Sequence, residues 1–302
     1  MAKDLSQDGN TVSEMVETND DEDVSSLLAA AGINGLSLAL APSRDTGGCA
    51  ARRVIYTAIL AGSDILNTPL YVDRSCDYIC FTDSVELQSK FWRIVRIKPV
   101  AGANCYMMAK AIKVLGADIL NAFEESIWMD GSILLKRDPW QLIDGQLGNC
   151  DFAFIKHPDR NCVFEEIEAC AVQGKDSRFN LESVRSRLIK AGYPQNNGLV
   201  SGGFIYRRHQ AQVKRLFRDW MRNITEFSRR DQLSFNYTCW LSELSITYID
   251  LDIFNNYYFA VLPHFSTAIG KLKWIRKYVI IWCGEKYDRL AGHILRDRGL
   301  SA

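Results

Sequence analysis

From about Arg52 onward, short apolar runs alternate with longer stretches of helical periodicity. Val54–Leu60, Asp77–Phe81, Trp92–Ile97, Ser126–Met129, Asp151–Lys156 and Gly203–Tyr206 read as strands. Several of these runs are apolar without alternation, as expected for strands covered on both faces. Between them, Met107, Ala111, Val114, Leu115, Ile119 and Ala122 fall on one helical face. Val213, Leu216, Phe217, Trp220 and Ile224 recur at i, i+3, i+4, i+7 and i+11. Strands and helices in alternation predict an α/β fold with a mostly parallel sheet flanked by helices. No G-x-G-x-x-G follows the first strand and there is no P-loop, which argues against a dinucleotide fold of the fingerprint type.

The pattern changes at both ends. Residues 1–25 carry eight acids and one Lys, so residues 1–50 are expected to be a disordered acidic segment and a linker. Residues 51–265 are expected to form one domain. Residues 266–302 read as a basic helical extension, with eight Lys/Arg against three acids in 271–300. Aromatic and aliphatic residues are interleaved with those basic ones, which suits peripheral contact with a membrane. Over the whole chain of 302 residues the formal net charge is zero, which argues against a nucleic-acid partner. Nine cysteines are scattered without a C-x-x-C pair, so reduced thiols are expected. No apolar run reaches the ~20 residues of a membrane span, and the N-terminus lacks a signal pattern. The expected location is cytoplasmic, with peripheral contact at the inner membrane surface.

Candidate chemistry collects where strands end. Ser126-Ile127-Trp128-Met129-Asp130-Gly131-Ser132 is an apolar run that stops at an acid. An acid at the C-terminal end of a buried strand faces the ligand crevice of an α/β sheet. There it can hold a hard cation, although an Asp-Gly turn gives the same letters. Tyr56 and Thr57 near the end of the first strand, and Asp83 after the second, are residues that suit a base and a ribose; turn chemistry explains the segments almost as well. Lys110 and Lys113 sit three apart on a helix and could reach a diphosphate, or simply be solvated. His157 and Arg160 lie in a polar cluster beyond the strand ending at Lys156. Ser201 and Gly202 belong to a glycine-rich turn that would let a ligand approach the backbone. Asp231 follows Ser228 in an S-x-x-D helix-start pattern, yet a carboxylate fixed beside Arg229 and Arg230 could also bind a sugar hydroxyl. His264 could close a metal site from the C-terminal side.

Taken in order, these segments resemble a family of GT-A-type glycosyltransferases. It includes plant proteins named for turgor-regulation defect and for seed mucilage, with bacterial relatives in polysaccharide loci. The similarity runs from about Arg53 to about Trp240. It is carried by Tyr56-Thr57-Ala58, Tyr78–Asp83, Ala109-Lys110 with Lys113, Ile127–Ser132, His157 with Arg160 and Glu165-Glu166, Gly192-Tyr193-Pro194, and Ser228–Phe235. The resemblance implies a GT-A sheet and transfer of a sugar from a nucleoside diphosphate donor to a glycan or lipid-linked glycan acceptor. It implies Mn²⁺ or Mg²⁺ bound by Asp130, at the first acid of a D-x-D position, with Ser132 in place of the second carboxylate and His264 in support. Tyr56, Thr57 and Asp83 would hold the nucleoside, together with Ser201 and Gly202 on the donor side. Lys110 and Lys113 would face the diphosphate. Asp231 and His157 would orient the acceptor or the transferred sugar, with Asp231 as base or stabiliser. Ser132 leaves open a degenerate domain that binds without turnover. A nucleotidyltransferase would need a basic glycine-rich loop after the first strand, and Ala58–Asp64 has no Lys or Arg.

Overall fold

The computed structural model describes residues 24–31, 52–98, 101–265 and 267–297, with only the backbone for 288–297. The disorder and linker expectations for 1–23 and 32–50 lie outside the described residues. Residues 24–30 form helix α1, and Leu27, Leu28 and Ala31 are buried against the core, with Val24 packed beside them. Residues 24–31 are therefore ordered. Positions 24, 27, 28 and 31 share one helical face, a spacing that the acidic run before them masked.

Seven strands form the main sheet: β1 (Arg53–Ile59), β2 (Asp77–Thr82), β3 (Arg93–Arg96), β4 (Glu125–Met129), β6 (Phe152–Lys156), β7 (Val200–Arg208) and β8 (Thr247–Ile249). Their order is β3-β2-β1-β4-β7-β6-β8. All neighbours are parallel except β7, which runs antiparallel to both β4 and β6. The mostly parallel α/β sheet expected from the sequence is what forms. A small antiparallel pair, β5 (Ile133–Leu135) with β9 (Phe259–Val261), stands apart. From β1 the chain moves outward to β2 and β3, then returns to the other side of β1 at β4. The strand order reverses there, so a crevice opens beyond the carboxyl ends of β1 and β4.

Helices α2 (Cys105–Ile119) and α6 (Ala211–Glu226) cover one face of the sheet. Asn104 caps α2 by accepting the Tyr106 N–H at 2.9 Å. Along α6, Val213, Leu216, Phe217, Trp220 and Ile224 are all buried, as their spacing predicts. Burying a side chain of this size contributes about 1.5–3 kcal/mol. A side chain at Gly116 of α2 would collide with the Tyr56 hydroxyl and lie 2.6 Å from Arg207 Nη2. Glycine thus lets α2 settle close onto the sheet. The other face is covered by α3 (Pro139–Gln146) and the small sheet, around Trp140, Phe204 and Phe259. A third cluster joins α4 (Val163–Val172), α5 (Arg178–Ala191) and α7 (Phe235–Leu241). Last comes α8 (Ala268–Asp297), the helical C-terminal extension. The eight described cysteines are free.

Candidate functional site

Asp130 is the first residue past β4. Its N–H donates to Gly203 O of β7 at 2.9 Å, so the antiparallel neighbour fixes where the strand ends. Residues two apart on a strand share a face. Trp128 accordingly reaches Asp130, donating its indole N–H to Oδ1 at 2.8 Å. The carboxylate is half exposed, and Lys113 Nζ stands 3.7 Å from the same oxygen.

Asp231 opens a short 3-10 turn, Asp231–Leu233, behind that carboxylate. Trp220 of α6 anchors the turn by donating its indole N–H to Asp231 O at 3.1 Å. The Asp231 side chain is buried, and its Oδ2 receives Lys113 at 2.6 Å and Lys110 at 2.7 Å. Oδ1 accepts the Gln232 N–H at 3.2 Å. Burial alone would raise the pKa of Asp231, but the two lysines outweigh it and hold the carboxyl well below the usual range. Burial also lowers Lys110, while Lys113, facing both Asp231 and Asp130, is raised despite its burial.

These groups line a cavity of about 260 Å³ together with Ser132, Ser201, Gly202 and His264. A Cβ on Gly202 would stand 2.7 Å from Lys113 Nζ and 3.3 Å from Asp231 Oδ2. Glycine is what allows the lysine to pass β7 and reach Asp231. His264 closes the rim. Its Nδ1 meets Asp64 Oδ2 at 2.9 Å, and Asp64 Oδ1 accepts the Phe265 N–H at 3.2 Å. That hydrogen bond raises the pKa of His264, with burial opposing and Asp130 adding attraction.

Eight residues singled out in the sequence thus converge on one cleft: Lys110, Lys113, Asp130, Ser132, Ser201, Gly202, Asp231 and His264. Four do not. Tyr56 and Thr57 are corrected. They sit mid-strand between β2 and β4, both buried, with the Tyr56 hydroxyl donating to Lys113 O at 2.9 Å. The chain runs on through Ile59 before leaving the sheet, so neither reaches the ligand edge. Asp83 does lie at that edge, but outside the cavity lining, where it accepts the Ala61 N–H at 3.0 Å. His157 stands apart from the cleft. Its Nδ1 accepts the N–H groups of Asp159 and Arg160 at 3.2 Å, and its Nε2 lies 3.2 Å from Arg160 Nη2. It organises its own loop, outside the cavity lining.

The S-x-x-D pattern also resolves differently from its local reading. Ser228 does not cap the turn at Asp231; its hydroxyl donates to Asp176 Oδ2 at 2.5 Å. The groups that hold Asp231 ionised are the lysines of α2, not the neighbouring arginines. Arg230, read from the sequence only as a neighbour of Asp231, lines the cavity itself, and its Nη2 donates to Gln232 Oε1 at 3.0 Å. Asp64, in the turn after the first strand, proves to be the partner of His264. A larger, more open hollow of about 650 Å³ lies around Trp240 and Tyr248, but holds none of these charged groups.

Fold and cleft together define an α/β protein with a charged ligand crevice at the switch point of a mostly parallel sheet. The chain belongs to the TOD1/MUCI70 family of glycosyltransferase-like domains, whose model matches residues 45–263. A relative, "Probable hexosyltransferase MUCI70" of Arabidopsis thaliana, is 26% identical over 216 residues, covering 61% of this chain. That stretch is 36% of the relative's length. A solved structure described as "WbbM bifunctional glycosytransferase apo structure" is similar at a TM-score of 0.39 and 14% identity, over 69% of this chain and 40% of that one.

Proposed function

We propose that this domain transfers a sugar from a nucleoside diphosphate donor to a hydroxyl of a glycan or lipid-linked glycan, assisted by Mn²⁺ or Mg²⁺. The observation that carries this is the pair of unlike carboxylates on either side of Lys113. Asp130 is half exposed in the cleft, and Asp231 is buried and clamped. Membership in a glycosyltransferase-like family supports it.

Asp130, Ser132 and His264 are the residues that would hold the cation. Among the described residues no three His, Cys, Asp or Glu side chains form a metal-binding group. The donor set still fits a hard cation that keeps waters and takes substrate phosphate oxygens for its other positions. The Asp64–His264 hydrogen bond adds to the fit, since a carboxylate on one ring nitrogen is how metal-binding histidines are commonly oriented. When bound, such a cation offsets charge building on the departing diphosphate.

Asp231 is better suited to holding a sugar hydroxyl than to taking a proton. A general base works best with a pKa near the operating pH, and Asp231 is held far below it. Its Oδ1, occupied by one backbone N–H, has room for a hydroxyl donor. The nucleoside would lie beyond β1, near Asp83 and the Ala61 turn. Eight free cysteines are in keeping with a cytoplasmic setting.

Thermal shift with a panel of nucleoside diphosphate sugars, with and without Mn²⁺, tests this. A donor at 100 times its dissociation constant adds about 2.7 kcal/mol. If no nucleotide sugar shifts the melt, with or without metal, the donor site is wrong. The serine at 132 favours one second reading, a domain that binds the donor without turnover. Donor hydrolysis with Mn²⁺ separates the two.

A further inference from the structure

Helix α8 meets the domain along one side only. Gly270, Trp274, Lys277, Tyr278, Ile281 and Glu285 are partly or fully covered. Trp274 stacks on Tyr278 at 4.8 Å and meets Phe265 edge-on, and Glu285 pairs with Arg137. At about 100° per residue these six positions fill an arc of roughly 100°.

The opposite side is apolar and open. Leu272, Ile275, Val279, Ile280 and Trp282 project from it, Leu272 70% exposed and Trp282 41%. Five large apolar side chains on one free helix face form a patch of the kind that marks an interaction surface. Lys271 and Lys273 border that arc on its two sides, and Arg276 and Lys286 lie within it, all four exposed. Among α8's described side chains the only acid is Glu285, buried against Arg137. The face therefore offers apolar surface and positive charge together. A second copy of the same face would bring like charges into contact. An anionic lipid surface complements both features, because Lys and Arg stems can lie along an apolar face while their heads reach the phosphates.

We propose that α8 docks the protein on an anionic membrane surface. Leu272, Ile275, Val279, Ile280 and Trp282 enter the boundary between headgroups and acyl chains. Lys271, Lys273, Arg276 and Lys286 pair with the headgroups. The helix lies flat, since no described helix is long and apolar enough to cross a membrane. It begins beside the cleft: Gly270 packs against the carbonyl of His264. Docking would thus hold the cavity mouth near the lipid surface. The inference does not depend on sugar transfer.

Co-sedimentation of the full chain with vesicles tests it, using phosphatidylcholine alone and phosphatidylcholine with phosphatidylserine, at low and high salt. The expected result is binding to the anionic vesicles only, weakened by salt. The quadruple variant K271E/K273E/R276E/K286E should bind at least a hundredfold more weakly, since each basic residue near an anionic leaflet accounts for about fivefold. Ile275→Ser with Val279→Ser should also weaken binding while leaving the net charge unchanged. All six positions are exposed, and an unchanged melting curve confirms that the variants fold. Three results overturn the proposal. One is no binding to anionic vesicles. Another is equal binding by wild type and the quadruple variant. The third is a dimer in solution, without lipid, that Ile275→Ser with Val279→Ser splits, which makes a second copy the occupant of this face.

Discussion

Lys113 and Asp231 lie 118 residues apart and meet at 2.6 Å, each side chain 4% exposed. The first comes from α2 and the second from the turn after α6, so their contact ties the two helices that cover one face of the sheet. Lys110 joins the same oxygen one helical turn earlier. A buried pair of this kind is poor evidence for stability in itself, but breaking it from one side leaves a buried charge without a partner.

Asp231→Ala should therefore lower stability by about 3–5 kcal/mol, more than the ~0.5–2 kcal/mol of a lost helix cap. Adding Lys113→Met should recover part of that loss, because one stranded ammonium is removed. If the clamp is only structural, the double variant regains turnover along with stability. The proposed function expects stability to return while turnover stays at least a hundredfold down. Urea melts and transfer assays on the three proteins decide between these outcomes.

Gly202→Ala probes the same clamp without removing a charge. The new methyl would stand 2.7 Å from Lys113 Nζ, so the ammonium must move away from Asp231. Overpacking of this sort costs about 1–3 kcal/mol. Donor affinity, read by calorimetry, should fall at least tenfold. An unchanged donor affinity alongside the stability loss would show that the position of Lys113 does not matter to the ligand.

Asp130→Asn should leave the fold intact, since the carboxylate is half exposed and Asn keeps an acceptor for the Trp128 indole. Turnover should fall at least a hundredfold, because one charged oxygen is lost from a donor set with a single carboxylate. Near wild-type turnover at saturating Mn²⁺ would sink the metal assignment. Ser132→Asp should tighten Mn²⁺ binding, and a flat titration would mean that this side chain faces away from the ion.

The sequence carried the fold wherever burial leaves a periodic mark. The α6 stripe has one satisfactory arrangement, and it formed. β5, β8 and β9 are three residues long, too short to show a period. Asp130 was legible because a strand stopping at an acid points to the crevice. The clamp on Asp231 was not. The local signals, Ser228 three residues before and two arginines beside it, suggested a cap and an arginine pair, whereas the controlling lysines sit on a distant helix. The Asp64–His264 pair spans 200 residues and leaves no local trace. Tyr56 and Thr57 misled for a simpler reason, since polar atoms near a strand end resemble a site until the last residue of the strand is known.

His209 gives the pH dependence of the fold. It follows β7, and both ring nitrogens are engaged, Nδ1 with Phe123 O and Nε2 with Ser126 Oγ, each at 2.8 Å. The carbonyl requires Nδ1 to carry the proton, and in the neutral ring Nε2 then accepts from the hydroxyl. Burial, then repulsion from Arg207, pushes its pKa down to about 3 from an ordinary 6.5. Between those values the unfolded chain binds a proton that the folded one refuses. Stability must then rise with pH across that window and fall as the solution is acidified below 6.5, by up to about 1.4 kcal/mol per pH unit from this residue. Asp231 acts in the same direction but adds little at pH 4.5 and above, because its carboxyl is held below its ordinary value in the folded state and titrates at about 3.9 in the unfolded chain, so its share is lost mainly below about pH 4. Urea melts at pH 7.5 and 4.5 should show the loss in the wild type. In His209→Gln, which lacks a titratable ring, the difference between the two pH values should shrink by at least half, even if the variant is less stable at both. An equal pH difference in the two proteins would place the acid sensitivity elsewhere.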